Sequence, residues 1–390
     1  MPASDEAPVV AVALPAPQAA DVILQAWEAG EAVLPLDPTM PAPELRNVID
    51  RLRPTRLLDS TGKHELSDGE PTATGVAAIV RTSGTTGDPR GVELTFNGLR
   101  ASALAVSSAM DVRRSDRWLC CLPVHYVAGL AILARGWVTG AGVTVLEGFD
   151  VGSVRGALES GANLVSLVPT TLARLLDARV DLTPLRGALI GAAPLPEALR
   201  DRALSAGVPV TTTYGLTETW GGVVHDGHPL DGVEVSLGVS DEILVSGPMV
   251  TTGYRRDPTG TRAAFTPDHR LRTGDVGVID SHGGVSVVDR MRDLIVTGGV
   301  NVSPTEVERV LATHPKVGDV CVAGIPDAEW GELVVAFVVP TDPEQPPSLA
   351  DVRSYVLEHL SAAKAPRRVV HLDAIPRTAA GKPLRRLLKH

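Results

Sequence analysis

The sequence predicts an α/β protein: a large N-terminal domain of mixed sheets covered by helices, then a small α+β C-terminal domain. Three observations carry this expectation. From about Val76 onward, short apolar runs alternate with longer helical stretches, as in a parallel or mixed sheet clad in helices. After about Val233 the units shorten and are punctuated by Gly and Asp turns. Near Asp289 the pattern changes again, to a capped helix, two long apolar strands and a second helix. With 390 residues, 44% of them hydrophobic, the chain can bury two or three packed units. The expected domains are residues 1–288 and 289–390.

Taken in order, residues 1–20 are rich in Ala and Pro and show no helical period, so a loose lead-in is expected. Apolar runs at 76–80, 118–122, 143–146, 164–168, 188–190 and 208–212 read as strands. Between them, 96–109, 170–178 and 196–206 read as helices. The runs at 242–246, 277–279 and 285–288 read as antiparallel strands. Ser303, with Glu306 three residues later, predicts a capping box that opens a helix. Strands follow at 317–325 and 332–339, then a Pro-rich surface loop at 342–347 and a helix at 349–360. The chain ends in a basic tail from Lys382 to His390, and no internal repeat is found.

Composition removes several classes of function. A net charge of −10 argues against a protein whose main task is gripping nucleic acid, although local donors can still hold a polyanion such as ATP. No apolar run approaches the ~20 residues that span a bilayer, so no membrane insertion is expected. Cys120, Cys121 and Cys321 are too few and too scattered for a disulfide framework or a four-thiolate metal site. That fits a reducing compartment. With no secretory leader pattern at the start, a cytoplasmic location is expected. The sequence is silent on oligomeric state and compatible with a homo-oligomer.

The sharpest chemical signal is Arg81-Thr82-Ser83-Gly84-Thr85-Thr86-Gly87-Asp88-Pro89-Arg90-Gly91, directly after an apolar strand. Its three glycines let backbone curl around an oxyanion, four hydroxyls add donors, and Arg90 adds a fixed charge. Such composition is more often a flexible linker. Its position between a strand and the helix expected at 96–109 favours a phosphate cradle, one lacking the usual Gly-Lys-Ser/Thr ending. Tyr214-Gly215-Leu216-Thr217-Glu218-Thr219 follows another apolar strand and combines an aromatic face, hydroxyls and a carboxylate, a set suited to a base and to Mg²⁺ near phosphates. Arg272-Thr273-Gly274-Asp275 puts a carboxylate on a tight turn, suited to a ribose diol. Pro376-Arg377-Thr378-Ala379-Ala380-Gly381-Lys382 brings a lysine on a glycine-containing loop near the end of the chain.

In this order the segments resemble the acyl-adenylate-forming superfamily, and the resemblance runs from about Glu31 to the C-terminus. Asp289-Arg290-Met291-Arg292-Asp293, Thr297-Gly298-Gly299 and Pro304-x-Glu306-Val307-Glu308 extend it, resembling the family's hinge and the loop behind it. The resemblance implies an enzyme that uses ATP, Mg²⁺ and coenzyme A, with a C-terminal domain that is mobile. It implies that Ser83, Thr85 and Thr86, in the loop with Gly84, Gly87 and Arg90, hold the β- and γ-phosphates. Gly191, Ala192, Ala193, Tyr214 and Gly215 would line the adenine pocket, and Asp275 and Arg290 would take the ribose hydroxyls. Thr217 and Glu218 would contact the α-phosphate and the metal, and Lys382 would bridge the carboxylate and the α-phosphate. Gly298 and Gly299 would leave room for the pantetheine arm. Arg90 stands where the family usually has lysine, Asp289 where it commonly has glycine, and Arg292 where Asp or Lys is frequent. Against the family's usual length, an N-terminal portion of the large domain is expected to be missing.

Further strings resemble the o-succinylbenzoate–CoA ligases of menaquinone biosynthesis, of actinobacterial type. These are the run from Leu122 to Leu130 leading to Arg135, the run from Ser166 to Thr170, and Tyr214 through Gly222 continuing into Asp226–Val233. His125 or Tyr126 would then face the acid, and Trp220, Gly221 and Gly222 would shape its pocket, with core packing the plainer role for Trp220. Arg135 is informative without any resemblance. A charge inside the apolar helical run Leu130-Ala131-Ile132-Leu133-Ala134 is costly unless paired. It either bonds a structural partner, snorkels outward, or meets a substrate carboxylate that is not activated. The histidines lack metal-ligand spacing, so no catalytic metal beyond the Mg²⁺ carried with ATP is expected. Alternatives are another aryl- or acyl-CoA synthetase, transfer to a carrier-protein thiol, and a non-catalytic adenylate-binding module.

Overall fold

Val9–Ala13 is completely buried and lies between two parallel neighbours, Ala32–Pro35 and Arg56–Asp59. The helix Ala16–Glu28 follows, burying Ala19, Ala20, Ile23, Ala26 and Trp27 at the spacing of one helical face. The loose lead-in expected for residues 1–20 is therefore wrong. An alanine face carries little hydrophobic contrast, and so the period was hidden in the sequence. In the computed structural model, residues 6–83, 89–377 and 383–388 are described. The chain divides into two units, Met1–Val235 with Val245–Leu271, and Ser236–Leu244 with Arg272–His390.

The first unit holds two seven-stranded sheets. One runs in the order Gly253–Tyr254, Pro89–Thr95, Val76–Ser83, Ala32–Pro35, Val9–Ala13, Arg56–Asp59, Gly62–Glu65. The other runs Gly142–Val145, Arg117–Cys120, Leu164–Leu167, Gly187–Ile190, Val210–Leu216, Gly221–His225, His228–Pro229. Its first five strands are parallel, which explains their unbroken apolar character, since helices cover both faces. Helices at Phe96–Ala109, Pro169–Asp177 and Glu197–Ser205 match the expected 96–109, 170–178 and 196–206 within a residue or so.

Aromatic rings link the helices of this unit. The Trp27 indole packs edge-on to Trp220 at 6.3 Å and lies 5.6 Å from Trp137. Trp27 and Trp220 donate their indole N–H groups to the carbonyls of Ala77 and Thr95. Gly98 makes this packing possible, because a Cβ there would stand 3.0 Å from the Trp220 ring.

The second unit holds most of a four-stranded sheet in the order Glu234–Leu237, Glu242–Ser246, Leu271–Ile279, Val285–Arg290, its last pair antiparallel. It also holds a five-stranded sheet built on the long antiparallel pair Val317–Asp327 and Gly331–Pro340. Helices Pro304–Leu311 and Leu349–Leu357 cover that sheet through Val307, Leu311, Val352 and Val356. Ser303 caps the first of them, accepting from the Glu306 N–H at 3.2 Å. The boundary expected at 288/289 falls inside the strand Val285–Arg290. Asp289 is buried there, and its carboxylate accepts from the Ser303 hydroxyl at 2.7 Å and the Thr305 N–H at 3.0 Å. An anion is favourable at that helix start.

Arg255 fastens the first unit internally. Its guanidinium donates to the carbonyls of Leu52, Arg53 and Glu70 and lies 3.6 Å from Glu93. Arg255→Met leaves those carbonyls and a carboxylate without their donor, which should cost about 3–5 kcal/mol. Urea unfolding should show a lower midpoint at unchanged slope. A loss below about 1 kcal/mol would contradict this bracing role.

Candidate active site

The phosphate-loop motif sits in the hairpin of Val76–Ser83 and Pro89–Thr95, whose register ends at Thr82 opposite Arg90 and Ser83 opposite Pro89. Gly84, Thr85, Thr86 and Gly87 lie outside the described residues, as does Lys382. Arg90, at the foot of the hairpin, is half-buried, 3.5 Å from Asp257 and over the Tyr254 ring at 5.3 Å. Tyr254 in turn donates its hydroxyl to the Glu218 carboxylate at 2.9 Å. Burial, and then the Glu218 charge, push the Tyr254 phenol well above its ordinary range, so it remains a donor. The phosphate-loop hairpin and Glu218 are thus joined through Arg90 and Tyr254. Tyr254 and Asp257 were not singled out in the sequence. Tyr254 comes beside Arg90 only because Gly253–Tyr254 pairs antiparallel with the strand that leaves the loop.

Glu218 and Thr217 lie in a single 3₁₀ turn, Thr217–Thr219, directly after the strand Val210–Leu216. The Thr219 hydroxyl holds this turn, bonding the backbone of Leu216 and Gly221. The Thr251 N–H donates to the Glu218 carbonyl at 2.7 Å. Gly215 must be glycine, because a Cβ there would lie 1.8 Å from the Gly221 carbonyl oxygen. Tyr214 precedes it in the same strand, half-buried. Gly191 follows the neighbouring parallel strand Gly187–Ile190, with Ala192 and Ala193 exposed after it. Ala192 is left-handed at φ 67°, which costs an L residue about 1–2 kcal/mol. Strain of this kind collects at functional sites.

The acid-binding candidates fall into two groups. His125 and Tyr126 precede the helix Val127–Thr139. His125 is half-buried, while Tyr126 is 58% exposed. Burial depresses the His125 imidazole, with Asp37 opposing and Arg81 adding to the shift. Arg135, on the buried face of the same helix, is 4% exposed and donates to the Ser166 hydroxyl at 3.3 Å. Its guanidinium lies 4.7 Å over the Trp118 ring. It neither snorkels outward nor meets a carboxylate among the described residues. Burial lowers its pKa to about 10, so it remains a cation at neutral pH. Trp220 is core, 1% exposed, and what its segment offers this region is Gly221 and Gly222.

The second unit places Asp275 and Arg290 opposite each other on paired strands, with Arg290 Nε 2.7 Å from the Asp275 carboxylate. Asp275 is 2% exposed. Gly298 and Gly299 form a left-handed turn at φ 56° and 78°, and a Cβ on Gly298 would meet the Trp330 ring at 3.1 Å. The chain on either side of 378–382 is pinned: Arg377 bonds both oxygens of Asp319, and Arg385 bonds both oxygens of Glu308.

Among the described residues, no cluster of three or more His, Cys, Asp or Glu is arranged to hold a metal by itself. Among them, too, no helix is long and apolar enough to cross a membrane.

Residues 60–255 match the AMP-binding enzyme family, and residues 306–382 match the AMP-binding enzyme C-terminal domain. The chain is 38% identical over 329 residues to a probable 2-succinylbenzoate–CoA ligase of Mycobacterium tuberculosis, covering 80% of this chain and 84% of that one. It is 35% identical over 336 residues to a 2-succinylbenzoate–CoA ligase of Bacillus cereus, covering 80% and 69%. Among solved structures it is similar to the o-succinylbenzoate CoA synthetase of Bacillus subtilis in complex with its acyl-adenylate intermediate. That match has a TM-score of 0.84 at 28% identity, and covers 99% of this chain and 89% of the other. The same Bacillus subtilis protein is also known with ATP and a magnesium ion.

His225 supplies a test of the electrostatics around Arg135. Burial and then the Arg135 charge hold its imidazole down to about 4, against 6.5 for an ordinary histidine. Between these values the unfolded chain takes up a proton that the native chain refuses, so stability falls as pH drops from about 6.5 to about 4. In His225→Phe this part of the loss should vanish, and its urea midpoint should fall less steeply across that window. Parallel curves for the two proteins would contradict the placement.

Proposed function

Because the chain belongs to the AMP-binding enzyme family, we propose that it is an AMP-forming acid–CoA ligase whose acid is o-succinylbenzoate, acting in menaquinone biosynthesis. The observation that carries the choice of acid is Arg135: a buried cation beside Ser166, with no carboxylate partner among the described residues. A diacid that is activated at one carboxylate presents the other as that partner. The relatives' names agree with this reading.

The reaction has two half-steps. An oxygen of the acid's carboxylate attacks the α-phosphorus of ATP, pyrophosphate leaves, and an acyl-adenylate forms. The CoA sulfur then attacks the acyl carbon, AMP leaves, and the thiol proton passes to solvent. In the first half-step two anions must approach, and a positioned cation such as Lys382 typically contributes about 3 kcal/mol or more. Ser83, Thr85 and Thr86 take the β- and γ-phosphates, with Arg90 at the foot of their hairpin. Tyr214, with Gly191, Ala192 and Ala193, takes the base, and Asp275 with Arg290 takes the ribose. Mg²⁺ accompanying ATP neutralises phosphate charge. Glu218, oriented by Tyr254, would hold that ion as a single carboxylate alongside the nucleotide. Residues from about Asp289 form the mobile domain, and the turn at Gly298 and Gly299 serves the thioester step.

CoA-dependent AMP release measured with o-succinylbenzoate, benzoate and medium-chain acids tests the assignment, with o-succinylbenzoate expected to lead by a wide margin. Equal rates across the panel would remove the choice of acid. Lys382→Ala should block adenylate formation while thioester formation from pre-made acyl-adenylate proceeds. Equal loss of both half-reactions would overturn the division of labour. With Arg135→Leu, kcat/KM for o-succinylbenzoate should fall by about 30-fold to several thousand-fold, the equivalent of about 2–5 kcal/mol. The loss should be much smaller for a monocarboxylate analogue lacking the second acid. Matching losses on both acids, or a large drop in Tm, would make Arg135 structural.

A further inference from the structure

Arg90 belongs by sequence to the phosphate loop, yet the protein itself engages its guanidinium. Its Nε lies 3.5 Å from the Asp257 carboxylate, and its central carbon stands over the Tyr254 ring, 5.3 Å from the centre. Strand register brings these groups together. Tyr254 pairs with Val92, and Arg90 lies two residues before Val92 on the same strand, Pro89–Thr95. The two side chains therefore share one face of the sheet as diagonal neighbours. Arg255, next along the chain, takes the carbonyls of Leu52, Arg53 and Glu70 instead.

Tyr254 is held at both ends. Its N–H donates to the Thr261 hydroxyl at 2.9 Å, and that hydroxyl donates to the Asp257 carbonyl at 2.8 Å. At the far end the phenol donates to Glu218 Oε1 at 2.9 Å. A phenol O–H lies in the plane of its ring, so whatever sets that plane aims the proton. A cation stacked on the ring face does so. The Glu218 backbone is fixed separately, its carbonyl accepting from the Thr251 N–H at 2.7 Å, which leaves the carboxylate to be aimed by its own side-chain torsions. Tyr254 tethers Oε1, and among the described residues no donor reaches Oε2. One oxygen is fixed and the other is available to an ion.

We infer that Arg90 and Tyr254 are positioning residues: Arg90 acts on ATP through Tyr254 and Glu218, by fixing the carboxylate that holds Mg²⁺, and not as a phosphate ligand of its own. The inference rests on the reading that Glu218 holds that ion. The charges agree with it. Asp257 offsets the Arg90 cation, so the guanidinium brings little net charge to the phosphates. Groups that orient a metal ligand from behind typically change metal affinity by about 10–100-fold when removed. The sequence motif alone suggests the opposite role, because it shows Arg90 in the loop and neither Tyr254 nor Asp257 beside it.

Calorimetric titration with ATP, in the absence of acid and CoA, tests this without turnover. Each protein is titrated with ATP plus Mg²⁺ and with ATP plus EDTA, and the ratio of the two Kd values gives the gain from the ion. Tyr254→Phe, which keeps the ring and removes the donor, should cut that gain by about 10-fold, with metal-free ATP bound as in the unmodified protein. Arg90→Met should cut it by a similar factor. The double variant should lose no more than the worse single one, since both residues act along one path. A non-hydrolysable acyl-adenylate analogue, which carries no pyrophosphate, should bind all three variants with unchanged Kd. If Arg90→Met weakens metal-free ATP as much as ATP with Mg²⁺, or if the losses multiply in the double variant, Arg90 holds phosphate directly and the inference is overturned. An unchanged gain in Tyr254→Phe, or weaker binding of the analogue, overturns it as well. Glu218→Gln measured alongside separates the two levels. If it leaves the gain intact, the reading of Glu218 has failed. If it removes the gain while Tyr254→Phe and Arg90→Met keep it, only the roles of Arg90 and Tyr254 have failed.

Discussion

A guanidinium inside an apolar helix face is the constraint on which the proposed reading of this protein depends. Removing an ion from water is expensive, and an interior repays that cost only when an opposite charge and enough hydrogen bonds surround it. Arg135 receives one hydroxyl, from Ser166, and one aromatic face, from Trp118. Both moderate the cost without cancelling the charge. Burial, and then the Arg135 charge, hold the His225 imidazole down to about 4, so it adds no second positive charge at neutral pH. Buried charges are often replaceable by apolar residues of similar volume at no cost in stability. That is why the proposed function assigns this charge to a ligand carboxylate.

The hairpin that carries Arg90 follows a different physical logic. Glu218 is oriented by neutral donors and backbone, through Tyr254 and the Thr251 and Thr219 contacts around its turn. Arg90 stands on the far side of Tyr254. This relay shows how an arginine can serve at the foot of the phosphate loop. Its planar head stacks on a ring and approaches Asp257 together, where a lysine would act as a point charge. In the second unit Asp289 likewise has a defined task, since its buried carboxylate begins the helix Pro304–Leu311.

Much of the fold was legible because its signals are local. Parallel strands buried on both faces read as unbroken apolar runs, and Ser303 with Glu306 marks a helix start wherever it occurs. Ala16–Glu28 escaped because alanine gives a buried helical face little contrast, whereas Val9–Ala13 carries the same unbroken apolar run as the other buried parallel strands and was passed over. Of the candidate site, Arg135 was legible from a local contradiction, a charge in an apolar run. Glu218 and Arg90 were legible from their motifs. Tyr254 was not, because strand pairing over a long sequence separation brings it beside Arg90.

The account stands or falls on whether the unmodified protein demands a second negative charge from its ligand. Two non-hydrolysable acyl-adenylate analogues resolve this by calorimetric titration, one carrying the o-succinylbenzoyl group and one identical but for the second carboxylate. Both present the same nucleotide, so the difference in Kd isolates the region around Arg135. The account predicts that the diacid analogue binds at least about 30-fold more tightly, the lower range for leaving a buried charge unpaired. Equal affinities would show that the Arg135 charge is satisfied without the ligand, and would contradict it.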